Sequence, residues 1–381
     1  MKSKIRVVLV LALVLMAGLI ASGCVSGLAP VGWSGGAVSG GKLFIGSEEG
    51  RLVSVSLADE SRQWGEPIQR ASSPGLFGCN PATGGGLGCG GGSAGVPIYG
   101  TPAVSDNLVY IAGYNGKIYA YNAETLQSRW IYPREGYLDS FVGGMVESGG
   151  RLFVGGSDGY VYALDAATGD KLWEFQTGDK IWATAGVDGD TLYVGSFDKN
   201  LYALNTADGR EKWHYTTGGA IMATPLIDGG TVYIGSFDRY LYALNAADGS
   251  LKWSFAGEHW FNAQPLVVNG RIYAGGLDDN LYVIDAATGR EITRFNVESG
   301  ISSSPVTVND SIVFATIEGA VYSLAAGSDQ VKLIVNLDSA VYGPLTASGE
   351  TVYIHLQDMT LQRVNAVSGA LLRPISLKVA G

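Results

Sequence analysis

The chain has 381 residues, 56 of them glycine and 20 tyrosine, and its formal net charge at pH 7 is −10. An acidic chain of this kind has no bulk electrostatic attraction for nucleic acid or for anionic lipid. It contains only three histidines and three cysteines, with no Cys-x-x-Cys pair, so it carries no cysteine or histidine metal-binding signature.

Residues 1–23 predict a lipoprotein signal peptide. A basic start with Lys2, Lys4 and Arg6 precedes an apolar run of 14 residues, 7–20, and then Ala-Ser-Gly-Cys at 21–24. A small residue directly before a cysteine resembles the bacterial lipobox, so Cys24 is the predicted lipidated residue. The alternative, a transmembrane helix, needs about 20 apolar residues.

Cleavage before Cys24 leaves residues 24–31 as a short tether and moves the formal net charge to −13. Val25 follows the cysteine, so the aspartate associated with inner-membrane retention is absent. We therefore expect an extracytoplasmic protein, anchored by lipid to the cell membrane or to the periplasmic face of the outer membrane.

The rest of the chain, residues 32–381, is built from repeats. Six units align at a constant step of 40 residues from Phe141 onwards, and two less regular units begin near Gly32 and Ile98. Each unit contains four runs of alternating apolar residues separated by Asp-Gly, Asn-Gly or Gly-Gly pairs, which is typical of antiparallel hairpins. A period of about 40 with four strands per unit predicts an all-β, eight-bladed β-propeller of four-stranded antiparallel blades.

An insertion at about 67–97 lies between blades 1 and 2. Trp64 and Ile98 are 34 positions apart, whereas the corresponding distance is 8 from Trp173 to Ile181. The insertion carries Cys79 and Cys89, which we expect to form a disulfide in an oxidising compartment. It is a candidate partner-binding loop, and the alternative is a loop that has no role.

Tryptophan recurs at one position of the fourth strand. The residues are Trp64, Trp130, Trp173, Trp213 and Trp253, and the last three units carry Thr293, Leu333 and Arg373 instead. A buried indole removes about 150–250 Å² from water. Repetition on an outer strand favours packing between blades, and a stacking platform for a ligand is the alternative.

Two further positions of the repeat bear on the fold and on the binding surface. The third residue of every unit is small, as expected where strands converge on an axis. The second residue varies and is predicted to line the mouth of the central channel, with His259 and Trp260 beside it. The candidate partner-binding rim consists of Trp33, Tyr99, Trp182, His259, Trp260 and Tyr342. Packing of the rim itself is the alternative.

An acidic column lies between the second and third strands. It comprises Glu49, Asp158, Asp198, Asp238, Asp278, Glu318 and Asp358, with Asn115 in the remaining unit. Turn chemistry explains these residues, because Asp and Asn favour tight turns. They would also form an acidic ring, but no twelve-residue calcium loop is present, and we predict no metal site.

The runs YALDAATGDKLW (162–173) and YALNAADGSLKW (242–253) resemble the PQQ-type (quinoprotein) propeller repeat. The resemblance covers about 350 residues and extends to quinone-dependent alcohol dehydrogenases and to non-enzymatic propellers of the BamB-type lipoprotein group. The dehydrogenases imply PQQ, calcium, a carboxylate base and adjacent cysteines in a disulfide ring. Here Cys79 and Cys89 are not adjacent, and no catalytic group stands out.

We therefore expect neither PQQ nor calcium as a cofactor. The expected function is that of a non-catalytic, membrane-anchored scaffold that binds other envelope proteins, with outer-membrane protein assembly as the setting. The expected form is a monomeric ring without nucleic-acid partners. The alternative is a quinone-dependent dehydrogenase-like enzyme or a carbohydrate-binding propeller.

Overall fold

The computed structural model describes residues 34–68, 96–105 and 107–379. These residues form eight four-stranded antiparallel sheets, with the strands of each sheet in sequence order. Within these ranges the chain contains no helix, and therefore none that is long and apolar enough to cross a membrane. The predicted eight-bladed β-propeller is confirmed.

The strands of blades 1 to 4 are β1 (Ala37–Ser39), β2 (Lys42–Gly46), β3 (Leu52–Ser56), β4 (Arg62–Trp64), β5 (Ala103–Ser105), β6 (Leu108–Ala112), β7 (Ile118–Asn122), β8 (Ser128–Tyr132), β9 (Val146–Ser148), β10 (Arg151–Gly155), β11 (Tyr160–Asp165), β12 (Lys171–Gln176), β13 (Gly186–Asp188), β14 (Thr191–Gly195), β15 (Asn200–Asn205) and β16 (Glu211–Thr216). The strands of blades 5 to 8 are β17 (Leu226–Asp228), β18 (Thr231–Gly235), β19 (Tyr240–Asn245), β20 (Leu251–Ala256), β21 (Leu266–Val268), β22 (Arg271–Gly275), β23 (Asn280–Asp285), β24 (Glu291–Asn296), β25 (Val306–Val308), β26 (Ser311–Ala315), β27 (Ala320–Ala325), β28 (Val331–Asn336), β29 (Thr346–Ser348), β30 (Thr351–His355), β31 (Thr360–Asn365) and β32 (Leu371–Ser376).

The hydrophobic core lies between neighbouring blades. One cluster, for example, joins Tyr193 and Leu201 of blade 4 to Ile221, Val232 and Leu244 of blade 5. The alternation of apolar residues along the two middle strands of each blade supplies both of its faces, because successive strand residues point to opposite sides. Each blade therefore buries apolar surface against the blade on either side.

The small third residue of each unit lies just before the first strand and faces the next unit. A Cβ atom on Gly143 would stand 2.7 Å from the carbonyl oxygen of Ala183, the equivalent residue of the next blade. In the same row, the Ser34 hydroxyl donates to the Gly100 carbonyl at 3.1 Å. Close approach of the backbones around the axis thus explains why this column stays small.

Four of the tryptophans join one blade to the next. The indole Nε1 of Trp213 donates to the Ala246 carbonyl of blade 5 at 3.1 Å, and its ring lies against Gly249, whose φ is +72°. A Cβ atom on Gly249 would stand 2.5 Å from Cε3 of that ring. Trp130, Trp173 and Trp253 make the same donation to the next blade at 3.0–3.1 Å.

Trp64 packs in the opposite direction from the other four. In blades 2 to 5 the tryptophan stands opposite an alanine, and the residue before it on the fourth strand forms a bulge, as with Lys252 beside the pair of Ala243 and Trp253. Blade 1 pairs β3 with β4 without a bulge, so Trp64 stands opposite Val53. A slip of one residue turns a side chain to the other face of a sheet, and Trp64 Nε1 accordingly donates to the Leu377 carbonyl of blade 8 at 3.3 Å.

The ring closes between blades 8 and 1 without exchanging a strand, because each blade is contiguous in sequence. The Gly36 amide donates to Thr346 Oγ1 at 2.9 Å, and that hydroxyl donates back to the Gly36 carbonyl at 3.0 Å. Further out, Arg363 Nη1 pairs with Glu60 Oε1 at 2.7 Å. Buried side chains of both blades, Leu43 and Leu361 among them, form a shared core cluster.

His355 belongs to the same junction. Its position is glycine in blades 1 and 3 to 6, where the first residue of the next unit packs against it. In blade 8 the imidazole donates from Nδ1 to the Ser34 carbonyl at 3.1 Å, and its Nε2 is shielded from solvent without a hydrogen-bond partner. Burial lowers the pKa of His355 below its usual value.

We expect this histidine to make stability fall in mildly acidic solution. The unfolded chain takes up a proton near pH 6.5 more readily than the folded chain does, so the stabilisation is complete above that pH and declines below it. Against His355→Gln, which cannot titrate, the wild type should lose up to about 1 kcal/mol more between pH 7.5 and pH 5.5. Urea unfolding at both pH values measures the difference, and parallel losses in the two proteins would contradict it.

Candidate functional site

The candidate site occupies one face of the propeller, where two sets of connections lie side by side. These are the loops from the fourth strand of one blade to the first strand of the next, and the turns between second and third strands. The Phe197 amide donates to the Lys180 carbonyl at 3.0 Å, and the Phe237 amide donates to the Ala220 carbonyl at 3.0 Å. These backbone bonds hold the loop and the turn of each blade together.

A row of aromatic side chains crosses this face from blade 4 to the loop before blade 6. Trp182 contacts Phe197 edge to face, with ring centroids 4.8 Å apart, and Phe197 contacts Phe237 at 6.2 Å. Phe237 and Trp260 are stacked at 4.4 Å with planes 9° apart. All four side chains are partly exposed. We call Trp182, Phe197, Phe237 and Trp260 the aromatic arc.

Polar contacts fix both ends of the aromatic arc. Trp182 Nε1 donates to Ser157 Oγ at 3.1 Å, and Lys180 Nζ lies 4.5 Å from the centre of the Trp182 ring. At the other end the Trp260 amide donates to Nδ1 of His259, and the two rings are 5.1 Å apart. Burial lowers the pKa of His259 and outweighs the opposing effect of the nearby Asp278. These contacts fix the side chains at both ends of the aromatic arc. The arc therefore presents apolar ring faces together with a few polar atoms.

The structure brings only some of the predicted rim residues together. Trp182, His259 and Trp260 belong to the aromatic arc or adjoin it. Tyr99 is buried and contacts Tyr114 edge to face at 5.2 Å, in blade 2. Tyr342 is partly exposed in blade 8, and burial raises its pKa.

Four predicted residues lie outside the described part of the chain: the rim residue Trp33, the lipidation residue Cys24, and the cysteines Cys79 and Cys89. The flanks of the insertion are described. Ile68 and Val96 are buried in the core cluster between blades 1 and 2, and the Ile68 amide donates to the Gly50 carbonyl at 2.8 Å. The insertion thus leaves and re-enters the propeller on the face that carries the aromatic arc.

Sequence analysis missed Phe197 and Phe237, which form the middle of the aromatic arc. They precede Asp198 and Asp238 in the turns between second and third strands. The signal was weak, because the other units have Glu48, Tyr114, Ser157, Leu277, Ile317 and Gln357 at this position, one of which is also aromatic. It becomes meaningful only when the turn is placed beside the preceding loop.

Residues of the acidic column accept hydrogen bonds that stabilise the turns between second and third strands. Asp198 Oδ1 accepts from the Asn200 amide at 2.8 Å, and Oδ2 accepts from the Tyr202 hydroxyl at 2.7 Å and the Gly178 amide at 2.6 Å. Asp158, Asp238 and Asp278 likewise accept from a tyrosine hydroxyl four residues on. Burial, with the hydrogen bond to Asp198, raises the pKa of Tyr202 to about 12, so this donor keeps its proton.

The carboxylates of Asp158, Asp198, Asp238 and Asp278 are not arranged as ligands of one calcium ion. A calcium ion takes six to eight oxygen ligands that converge on one point, whereas each of these four carboxylates is held within its own blade and loop. In residues 34–68, 96–105 and 107–379, no group of three or more His, Cys, Asp or Glu residues is arranged to hold a metal ion.

Comparison with known proteins gives partial matches. A family model described as outer membrane protein assembly factor BamB matches residues 277–372. BamB of Escherichia coli K12 is 31% identical over 80 residues, which are 19% of this chain and 20% of that protein. The quinohemoprotein alcohol dehydrogenase ADH-IIG of Pseudomonas putida is 35% identical over 94 residues, 23% of this chain and 13% of that protein. The matched segments thus span a fifth or less of these relatives.

Solved structures match over most of the fold. The crystal structure of BamB from Moraxella catarrhalis superposes with a TM-score of 0.68 at 18% identity, covering 84% of this chain and 93% of that one. The chain is an eight-bladed β-propeller that is similar to BamB in its fold, and its residues 277–372 match the BamB family model.

Proposed function

We propose that this chain is a non-catalytic scaffold that binds other envelope proteins through the aromatic arc, in the setting of outer-membrane protein assembly. The observation that carries the proposal is the arc itself: four partly exposed aromatic side chains in continuous contact on the loop face. Aromatic residues are enriched at protein interfaces and dominate their binding energy. The similarity to BamB, named as an assembly factor, supports the setting.

The proposal includes a lipid anchor at Cys24 and a position outside the cytoplasm. Its support is the sequence of residues 1–24, together with the similarity to BamB. An anchor of this kind would tether the propeller through residues 24–31. The insertion between blades 1 and 2, with Cys79 and Cys89, is proposed as a second partner contact, because its two described flanks lie on the loop face.

We also propose that the chain takes neither PQQ nor calcium, although the quinohemoprotein match keeps a dehydrogenase as the competing function. Two observations support the scaffold over the enzyme. The turn carboxylates of blades 3 to 6 are engaged by tyrosine hydroxyls and backbone amides of their own blades. The match to the dehydrogenase covers repeat sequence, which builds the scaffold, and function resides in sites added to a scaffold.

A photo-crosslinking amino acid at the arc tests the scaffold proposal. Placed at Phe237 in the full-length protein in its native membranes, it should form a discrete adduct with an envelope assembly protein, identified by mass spectrometry. The matched control is the same amino acid at Leu251, which is 48% exposed on an outer strand of the same blade. Equal yields of the same adducts from both positions would count against the arc as the binding surface.

A further inference from the structure

Two turns of the loop face carry a cation beside the aromatic arc. Their sequences are Phe-Asp-Lys at 197–199 in blade 4 and Phe-Asp-Arg at 237–239 in blade 5. The two phenylalanines form the middle of the arc, and both cationic side chains are exposed. No other turn between second and third strands has an aromatic residue, an aspartate and a cation in succession. The two cations therefore belong to the same surface as the arc.

Both cations occupy a backbone conformation that is unfavourable for a residue with a Cβ atom. Lys199 and Arg239 have φ +76°, at a position where blades 1, 2, 3 and 7 carry glycine. Blades 6 and 8 carry Asp279 and Met359 there. Met359 is buried in the core between blades 8 and 1, whereas Lys199 and Arg239 are exposed. Packing therefore does not account for the two cations, and strain of this kind is common at functional sites.

A third cation, Lys180, lies on the arc itself. Its Nζ is 4.5 Å from the centre of the Trp182 ring and 4.7 Å from that of Phe197. Within the described ranges, Lys180, Lys199 and Arg239 form no ion pair with a carboxylate. Three positive charges without an anionic partner thus lie on or beside the apolar ring faces.

The carboxylates of the same turns and loops accept from neutral donors. Asp238 Oδ2 accepts from the Gly218 amide at 2.6 Å and from the Tyr242 hydroxyl at 2.7 Å, and Asp198 accepts in the same way in blade 4. Asp179 Oδ1 accepts from the amide of the next residue at 2.7 Å. The three cations are therefore available to carboxylates of a partner.

The adjoining part of the loop face is acidic. Blades 6 and 7 place Asp278, Asp279 and Glu318 in their turns, and Glu298 lies in the loop between these blades. Burial, with the nearby Asp278 and Glu318, raises the pKa of Asp279, so these carboxylates lie close together. A negatively charged segment would be attracted to blades 4 and 5 and repelled from blades 6 and 7.

The spacing of the arc fits an extended polypeptide. The ring centroids of Phe197 and Phe237 are 6.2 Å apart, close to the distance of about 6.6–6.8 Å between residues i and i+2 of an extended chain. Lys199 and Arg239 repeat at equivalent positions of the same two turns. Successive side chains of an extended chain point to opposite sides. Apolar side chains can therefore face the two rings while the residues between them approach the cations.

We propose that the aromatic arc binds an extended, acidic segment of its protein partner, in which apolar residues alternate with aspartate or glutamate. The apolar side chains would pack on Phe197 and Phe237, and the carboxylates would pair with Lys180, Lys199 and Arg239. The inference rests on the proposed function, because it names the chemistry of the segment that the arc binds. Charge complementarity of this kind contributes to the choice of partner and to the rate of association.

Three acetylated, amidated peptides test the charge preference: Ser-Leu-Glu-Leu-Glu-Leu-Ser and its twins with Gln or Lys in place of Glu. At about 20 mM salt, the Glu peptide should shift the amide NMR resonances of Lys199 and Arg239 and saturate at about millimolar concentration. The Gln twin should bind about ten-fold more weakly, and the Lys twin more weakly still. About 0.5 M salt should abolish the preference, because it screens exposed charges.

Lys199→Gln combined with Arg239→Gln should weaken binding of the Glu peptide by about ten-fold, to the level of the Gln twin. The matched control, Arg210→Gln with Arg290→Gln, has the same net charge but loses its cations from turns between third and fourth strands, at the other end of the blades. It should bind the Glu peptide as the wild type does. If the first variant does not fold, Lys199→Gly with Arg239→Gly fits the same positive φ and should weaken binding equally.

Equal binding of the Glu and Gln peptides would overturn the inference, as would a preference for the Lys twin or an equal loss in the matched control. Shifts of the same size with inorganic phosphate at equal charge concentration would also overturn it, because they would indicate a site for any anion. Crosslinking from Phe237 is the separate readout of the proposed function. An adduct whose yield is unaffected by Lys199→Gln with Arg239→Gln would refute the acidic segment alone, whereas absence of a specific adduct would refute the proposed function.

Discussion

Replacing Trp213 with alanine is expected to lower the free energy of unfolding by about 3–5 kcal/mol, the range for large-to-small substitutions of aromatic core residues. The indole packs in the cluster shared by blades 4 and 5, covers Gly249 and satisfies the Ala246 carbonyl. Its removal leaves a cavity and removes one of two donors to that carbonyl, the other being the Tyr193 hydroxyl at 3.1 Å. Urea unfolding followed by circular dichroism measures the loss.

The matched control is Trp182→Ala on the loop face. Trp182 is also partly exposed and also donates from Nε1, but to a serine hydroxyl beside the open surface. We expect a smaller loss of stability and a main effect on partner binding. Equal destabilisation by the two substitutions would contradict the assignment of Trp213 to packing between blades and of Trp182 to an accessible surface.

Replacing both Phe237 and Trp260 with alanine is expected to weaken partner binding by about 100-fold, since central aromatic residues cost about 2 kcal/mol or more each when truncated and add incompletely. The two rings stack with their centroids 4.4 Å apart and form one continuous apolar surface. Removing one ring changes the exposure of the other, so the two effects on affinity are not independent. Affinity for the partner identified by crosslinking should be measured by interferometry with immobilised wild type and variant.

Leu251→Ala controls for a general effect on blade 5. It removes an apolar side chain that is 48% exposed on the outer strand β20, away from the loop face. Its affinity should match the wild type, and all proteins should melt cooperatively. Unchanged affinity of the double variant would remove the aromatic arc from the interface.

The repeat pattern predicted the blades well because local sequence decides a hairpin. The Asp228-Gly229-Gly230 turn and the alternating residues of 231–235 are sufficient to predict the strands β17 and β18 and their pairing. A unit of four such strands leaves apolar residues on both faces, and neighbouring units of the same kind cover them. Eight units in the sequence therefore predicted eight blades.

The tryptophan column shows where alignment of the sequence falls short. Trp64 aligns with Trp213, yet it turns towards blade 8, because a bulge is absent from the pairing of β3 with β4. Leu333 aligns with Trp253, yet Lys332 takes the equivalent place. A bulge is hard to recognise in the sequence because it adds only one residue to a strand. That one residue nevertheless shifts the register and exchanges the two faces of the strand.

The sequence by itself determined the class of fold, the number of blades and the residues that pack between most of them, because these depend on periodicity and on contacts between adjacent units. Only the tertiary structure decided which side Trp64 faces, how blade 8 meets blade 1, and that Phe197 and Phe237 join Trp182 and Trp260. Those features depend on the register between paired strands, on the junction of the first and last units, or on loops that differ from unit to unit. The spacing of residues along one unit specifies neither the register between its strands nor the distances between side chains of different units.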